Sequence, residues 1–349
     1  MAKKNAKDEK LNYSAEIRRL KEEGAQRLYL LWGPEDYLRE QYLGQLKRLC
    51  LPEGEDSFSY KRMNGPELDA HELRSAVDAL PFMTEHSFVE LRGVDINACK
   101  QPEELLKVFT DIPEYCTVAL VLDAQYEPDG RLKLVKGLRQ CAVELKFTAQ
   151  SQGMLVDWII RRFAAAGKSV ELDAAQRLIF ISGDLMSRLI PEIEKVAAYA
   201  KGERVTSADV EAVANHIPEA YVFDMTENIA QKKYNTAMTV LSELIADKSN
   251  APIAIAATIG QQMRRLYGAK LAEREPDGVK LLMDACGIKY EFIAKKLINA
   301  ARGFTLPQLV RSVELCAETD YKMKGGSSED PTELLKELVL RIAAGEEDA

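Results

Sequence analysis

The stretch Leu30-Leu31-Trp32-Gly33-Pro34-Glu35-Asp36-Tyr37-Leu38, LLWGPEDYL, decides the fold. It ends an apolar run from Arg27 to Trp32 that reads as a strand. It then opens an amphipathic helix over 35–50. Strand, glycine turn and helix in that order are the layout of a phosphate-binding loop. A working loop reads G-x-x-x-x-G-K followed by Ser or Thr. Its backbone N–H groups cradle phosphates, its lysine meets the terminal phosphates and its hydroxyl holds magnesium. Here Gly33 is followed by Pro34, which has no N–H, and then by the carboxylates Glu35 and Asp36. Carboxylates suit a helix N-terminus, whose dipole favours negative charge. The cap is therefore satisfied by the protein, and the reading needs no nucleotide.

Outward from this turn, strand and helix patterns alternate. Strands are expected at 27–33, 57–64, 87–95, 117–125 and 142–147, with helices at 35–50, 66–80, 102–112 and 130–140 between them. Such alternation predicts a parallel sheet with helices on both faces. The nearly unbroken apolar run at 117–125 suits a strand covered on both sides. After residue 147 the strand signal stops. Helices are expected at 151–167, 173–183, 191–202 and 206–216, with Thr206 or Ser207 as N-cap. The segment 217–220 reads as a linker, and further helices are expected near 222–233, 235–247, 251–274, 278–286, 290–302, 305–324 and 331–344. The fold class is α/β plus all-α. Its divisions are a flexible segment at 1–20, an α/β domain at 21–149, a small helical domain at 150–217 and a larger helical domain at 218–345.

Composition narrows the function. A net charge of −8 argues against a global nucleic-acid coat, though local basic faces stay possible. The six cysteines are scattered with no C-x-x-C pair, as expected of reduced thiols in a cytoplasmic protein. The charged N-terminus is no signal peptide, and no apolar run is long enough to span a membrane.

Catalytic schemes find little support. The strand ending at Asp95 and the strand running through Asp123 lack the paired carboxylates a magnesium site needs, so both aspartates read as loop caps. His71, His86 and His216 fall in no H-E-x-x-H pattern, and no G-x-S-x-G occurs. The reading is no catalytic residue, no metal and no cofactor. The competing class is a nucleotide-dependent enzyme of the P-loop type with an atypical site, which predicts saturable ATP binding by the isolated chain. A third class, a DNA-binding regulator, fits the acidic balance poorly.

One connection is unusually apolar. Between the helix at 66–80 and the strand at 87–95 lie Leu80, Pro81, Phe82 and Met83. Pro81 ends the helix, because the residue before proline leaves the α region. Loops usually run over the surface. An apolar wedge there is either tucked under the sheet or offered to a partner. On general grounds tucking is favoured, since isolated apolar loop residues are often core residues.

Taken together, LYLLWGPEDYLRE (28–40), LPFMTEHSFVEL (80–91), GDLMSRLIPEIEKVAAYA (183–200), QQMRRLYGAK (261–270) and ETDYKMKGGSSEDPTELLKELVL (318–340) resemble, in order, the delta subunit family of the bacterial DNA polymerase III clamp loader. Two departures are Pro191, where a small polar residue is usual, and Met83, where a second aromatic is common. The resemblance implies an AAA+/RecA-like sheet domain with a degenerate P-loop, a small helical lid and a C-terminal helical collar. It implies a subunit that hydrolyses no ATP itself. Implied partners are the beta sliding clamp, the gamma/tau and delta-prime subunits, and primer-template DNA within the assembled loader. It places Leu80–Met83 at the clamp contact, which reverses the general expectation and makes the wedge an exposed anchor. Arg264, Arg265, Lys322 and Lys324 become candidates for DNA contact, together with Lys289, Lys295 and Lys296, set against the ordinary reading of a solvated helix face.

Overall fold

The computed structural model describes residues 11–52 and 58–345. The chain forms two units. One runs through Ala149 and takes in Leu185–Ser187; the other holds Gln150–Asp184 and continues from Arg188.

The first unit carries α1 (Tyr13–Glu23), β1 (Leu28–Trp32), α2 (Asp36–Cys50), β2 (Tyr60–Asn64), α3 (Ala70–Val77), β3 (Ser87–Arg92), α4 (Pro102–Thr110), β4 (Cys116–Val121), α5 (Lys133–Cys141) and β5 (Val143–Lys146). The strands form one parallel sheet in the order β2-β3-β4-β1-β5. All five residues of β1 are buried, as a strand covered on both faces requires. Leu28, Leu30 and Trp32 join a core with Leu73, Val77, Leu105, Phe109, Leu134 and Leu138 from α3, α4 and α5. Tyr29 points the other way, where its ring lies 6.2 Å from that of Tyr42 on α2. Each fully buried leucine of this core stabilises by roughly 1.5–3 kcal/mol.

Several boundaries differ from the sequence expectations, each for a local reason. Helix α3 starts only at Ala70, because the Asp69 side chain accepts from His71 and Glu72 N–H and caps it there. Strand β3 stops at Arg92, since Gly93 turns the chain at a φ of 64°. Strand β2 begins at Tyr60; Ser57, the first residue expected in it, lies outside the described residues. Helix α1 falls on residues read as a flexible segment, with Asn12 accepting from Ala15 N–H at its start and Leu20 buried. Residues 1–10 lie outside the described residues.

The second unit holds α6 (Gln152–Ala165), β6 (Ser169–Val170), α7 (Leu172–Ser182), α8 (Met186–Tyr199), whose first two residues group with the first unit, β7 (Arg204–Val205), α9 (Ser207–Val213), α10 (Pro218–Ala230), α11 (Tyr234–Ala246), α12 (Pro252–Ala272), α13 (Gly278–Cys286), α14 (Glu291–Ala301), α15 (Leu306–Tyr321), a π-helical turn at Lys322–Gly326 and α16 (Pro331–Ala344). Thr206 is the N-cap of α9, in a reciprocal capping box with Asp209. The expected linker at 217–220 is instead the start of α10, with Pro218 in its first turn, where a missing N–H costs nothing. Pro191 lies inside α8 rather than at its start, because the helix already begins at Met186. The short parallel pair β6–β7 had no signal, since two residues are too few to show a period. Helix α12 packs on α13, α14 and α15, and its Ile259, Met263 and Leu266 are fully buried. Among the described residues no helix is long and apolar enough to cross a membrane.

A buried charge network fastens the first unit's sheet to α2. Glu90 of β3 is fully buried. It accepts from Arg92, from the Tyr60 hydroxyl at 2.9 Å and from Lys47 Nζ at 3.2 Å. Arg92 also grips Glu40 on α2 with two bonds of 2.9 and 2.6 Å. Burial opposes the charged form of Glu90, but the bonds from Arg92 and Tyr60 and the charge of Lys47 outweigh it, and the carboxyl is held below its ordinary range. A depressed folded pKa contributes stability above the unfolded value, near 4.3, and loses it as pH falls through the folded value. Glu90→Gln is therefore expected to cost about 2 kcal/mol or more at pH 7, and the gap from wild type should narrow toward pH 3. Urea unfolding at both pH values checks this, and an unchanged gap would contradict it.

Candidate functional site

The turn after β1 is closed by its own backbone. Gly33 has a φ of +115°, and a β-carbon there would lie 2.3 Å from the Phe147 carbonyl oxygen. Glycine is thus required twice, for the angle and for the approach of the chain just past β5. Phe147 N–H donates to Trp32 O at 2.7 Å, and Glu35 N–H donates back to Phe147 O at 3.1 Å. Asp36 N–H donates to Pro34 O at 3.0 Å, and Tyr37 N–H to the Asp36 carboxylate at 2.9 Å. The amides that would face a phosphate are engaged with protein. The buried Arg39 turns its Nη1 onto Gly33 O at 2.8 Å. Glu35 is fully buried, and its Oε2 accepts from Met186 N–H at 3.4 Å, in the Leu185–Ser187 stretch of the same unit. Farther along the strand ends, Asp95 caps its loop by accepting from Asn97 N–H, Ala98 N–H and the Tyr126 hydroxyl. Among the described residues no group of three or more His, Cys, Asp or Glu side chains could hold a metal.

The apolar connection is exposed and held from beneath. Leu80 is 78% exposed, Phe82 60% and Met83 83%. Two bonds to the backbone and two between side chains brace the segment that carries them. The Tyr115 hydroxyl donates to Asp78 O at 3.2 Å. Phe82 N–H donates to Ser59 Oγ at 3.0 Å, and the same oxygen lies 2.6 Å from Thr84 Oγ1. His86 Nε2 lies 2.9 Å from Thr117 Oγ1, and burial pushes that imidazole's pKa down. Met83 has a φ of +59°, rare for a residue with a side chain, so the tip carries backbone strain where its side chains point outward. Met83 lines a groove of about 970 Å³ together with Leu49, Cys50, Glu85, His86 and Tyr115, among others.

The basic residues do not share one environment. Arg264 on α12 is exposed and makes no ion pair among the described residues. Arg265 is half-buried in a cavity of about 370 Å³ with Asp184, Glu219 and Tyr290, and burial lowers its pKa. Lys322 lies 4.0 Å from Glu329 and 3.9 Å from Glu337; Lys324 lies 2.8 Å from Asp320. Lys289 pairs with Asp184 at 3.0 Å and Lys295 with Glu291 at 2.6 Å, while Lys296 sits over the Phe180 ring.

Comparisons with known proteins bear on this geometry. The family model of the DNA polymerase III delta subunit matches residues 29–148, and the model of that subunit's C-terminal domain matches residues 219–342. The chain belongs to the DNA polymerase III delta subunit family. It is 23% identical over 321 residues to DNA polymerase III subunit delta of Bacillus subtilis, covering 90% of this chain and 91% of that one. It is 26% identical over 288 residues to the probable DNA polymerase III subunit delta of Aquifex aeolicus, covering 78% of each. Its fold is similar to the solved structure of the Bacillus subtilis DNA clamp loader delta protein, with a TM-score of 0.52 at 22% identity over 95% of this chain and 99% of that one. The delta family model thus spans both the Gly33 turn and the Leu80–Met83 tip.

Sequence reasoning missed two residues at the tip. Phe58 is 90% exposed and its ring meets that of Phe82 edge-on, at 5.9 Å and 84°. Ser59 supplies the oxygen that holds Phe82. Both were read as members of a strand from 57 to 64, which gave no reason to separate them from it. The Gly33 turn yields a direct test. Gly33→Ala is expected to destabilise the chain by about 3 kcal/mol or more, through the clash and the strained angle together. Urea unfolding should show a lower midpoint, and an unchanged midpoint would mean that Phe147 can move aside.

Proposed function

We propose that this chain is the clamp-loader subunit that binds the beta sliding clamp and opens it for loading on primed DNA, without binding or hydrolysing ATP. The observation that carries the proposal is the exposed, braced tip of Leu80, Phe82 and Met83 beside Pro81. Membership of the delta family supports it. Apolar side chains this exposed are unfavourable in water unless a partner covers them. Phe82 offers a rigid ring and Met83 an adaptable thioether, a suitable pair for an apolar pocket.

The work is mechanical in this reading. The tip seats in a pocket of the clamp, and the clamp opens because the chain binds its open form better than its closed form. A ligand shifts an equilibrium only by that difference in affinity. Bracing at Ser59 and Tyr115 lowers the ordering cost of binding. The closed Gly33 turn makes this chain a structural member of a ring whose gamma/tau subunits supply ATP chemistry, with delta-prime completing it. The helices of 218–345 serve as the collar, and the segment 150–217 as the lid. Primer-template phosphate contact belongs first to Arg264, which is exposed and makes no ion pair among the described residues, and less to Arg265, Lys322 and Lys324, which protein groups already surround. The reading as a P-loop enzyme with an atypical site gains nothing from the turn, whose amides are taken.

Leu80→Ser/Phe82→Ser in the full chain is expected to weaken binding to the same organism's sliding clamp at least about a hundredfold, with unchanged thermal melting, because both side chains are exposed. Calorimetric titration measures it. Equal binding by wild type and variant would remove the tip from the interface.

A further inference from the structure

We propose that Phe58 is a fourth anchor of the same docking surface, and that it acts jointly with Phe82. The inference rests on the clamp-binding reading of the tip. Phe58 lies 24 residues ahead of Phe82 in the sequence, before β2, yet the two segments meet. Ser59, itself buried, accepts the Phe82 N–H at 3.0 Å and sits 2.6 Å from Thr84 Oγ1, so residues 58–59 and 82–84 form one bonded platform. On that platform the Phe58 and Phe82 rings stand edge to face at 5.9 Å and 84°.

The exposure of Phe58 is the reason to look for a partner. At 90% it is the most exposed of the large apolar side chains among the described residues. A packing role would have buried it, and the ring it meets, Phe82, is itself exposed. Leu80, Phe82, Met83 and Phe58 therefore make one apolar surface rather than a wedge and an isolated residue. The occupant follows from continuity, because whatever covers Phe82 must come up against the ring beside it. The clamp pocket that takes Phe82 is accordingly wide enough for two aromatic groups, or has an apolar lip against which Phe58 lies. Phe58 also restricts the swing of the Phe82 ring, so that the anchor is presented in one orientation before binding.

A double-variant cycle tests this. Clamp binding is measured by calorimetric titration for the full chain as wild type, Phe58→Ala, Phe82→Ala and the pair, with thermal melting as the control for folding. Phe58→Ala should bind roughly tenfold more weakly at unchanged melting temperature. The paired variant should lose less than the product of the two single losses, by about two- to tenfold, because the rings act together. Phe58→Leu keeps apolar area without a ring edge and should fall between wild type and Phe58→Ala. If Phe82→Ala is weakened while Phe58→Ala binds as wild type does, the role of Phe58 is overturned and the clamp-binding reading stands. If the losses multiply, joint action is overturned. If neither single variant is weakened, the reading of the tip itself fails and this inference falls with it.

Discussion

The close approach of Gly33 to Phe147 is the constraint on which the first unit turns. A β-carbon has no room there, and the φ of +115° admits little but glycine. That approach lets the chain past β5 take the Glu35 N–H and give its own N–H to Trp32. Asp36 and Arg39 engage the rest of the turn. The strand–turn–helix geometry is kept, and its hydrogen-bonding capacity is spent inside the protein. A nucleotide would have to displace bonds already made, and it would meet two carboxylates in place of a lysine.

The same sheet carries the tip at the opposite, N-terminal ends of its strands, ahead of β3. Strand β3 is fixed to α2 by the network of Glu90, Arg92, Glu40 and Lys47. The connection before β3 is tied separately to β4, where His86 meets Thr117. Ser59, just ahead of β2, reaches across to Phe82 and Thr84. An apolar loop would ordinarily collapse onto the nearest core, so the bonds to its backbone are what keep its side chains in water. The strained φ of Met83 is part of that arrangement. An exposed, ordered apolar surface of this kind is suited to binding a partner and unsuited to stability alone.

Much of this was legible in the sequence, and the limits have physical causes. The central strands β1 and β4 could be read because burial on both faces writes continuous apolar runs. The degenerate loop was legible because Pro34 cannot supply an N–H. The apolar connection could be located, but composition alone favoured burying it; the family resemblance led to the exposed reading, with which the observed exposures of Leu80 and Met83 agree. Phe58 was hidden because its proximity to Phe82 comes from folding, across 24 residues of chain, and no local pattern records it. The separate environments of Arg264 and Arg265 were also hidden: neighbours on a helix point to different sides, so one is exposed and the other half-buried. The start of α10 at Pro218 was misread because proline signals both a linker and a first helical turn.

The most direct test of the account is a distance measurement across one subunit interface of the sliding clamp, made by paired spectroscopic labels as the chain is added in nucleotide-free buffer. The account predicts that the distance increases with this chain alone, because opening draws on differential binding at the tip and on no nucleotide chemistry of its own. A clamp that binds the chain yet stays closed, or that opens only when ATP is added to this chain and clamp, would contradict it.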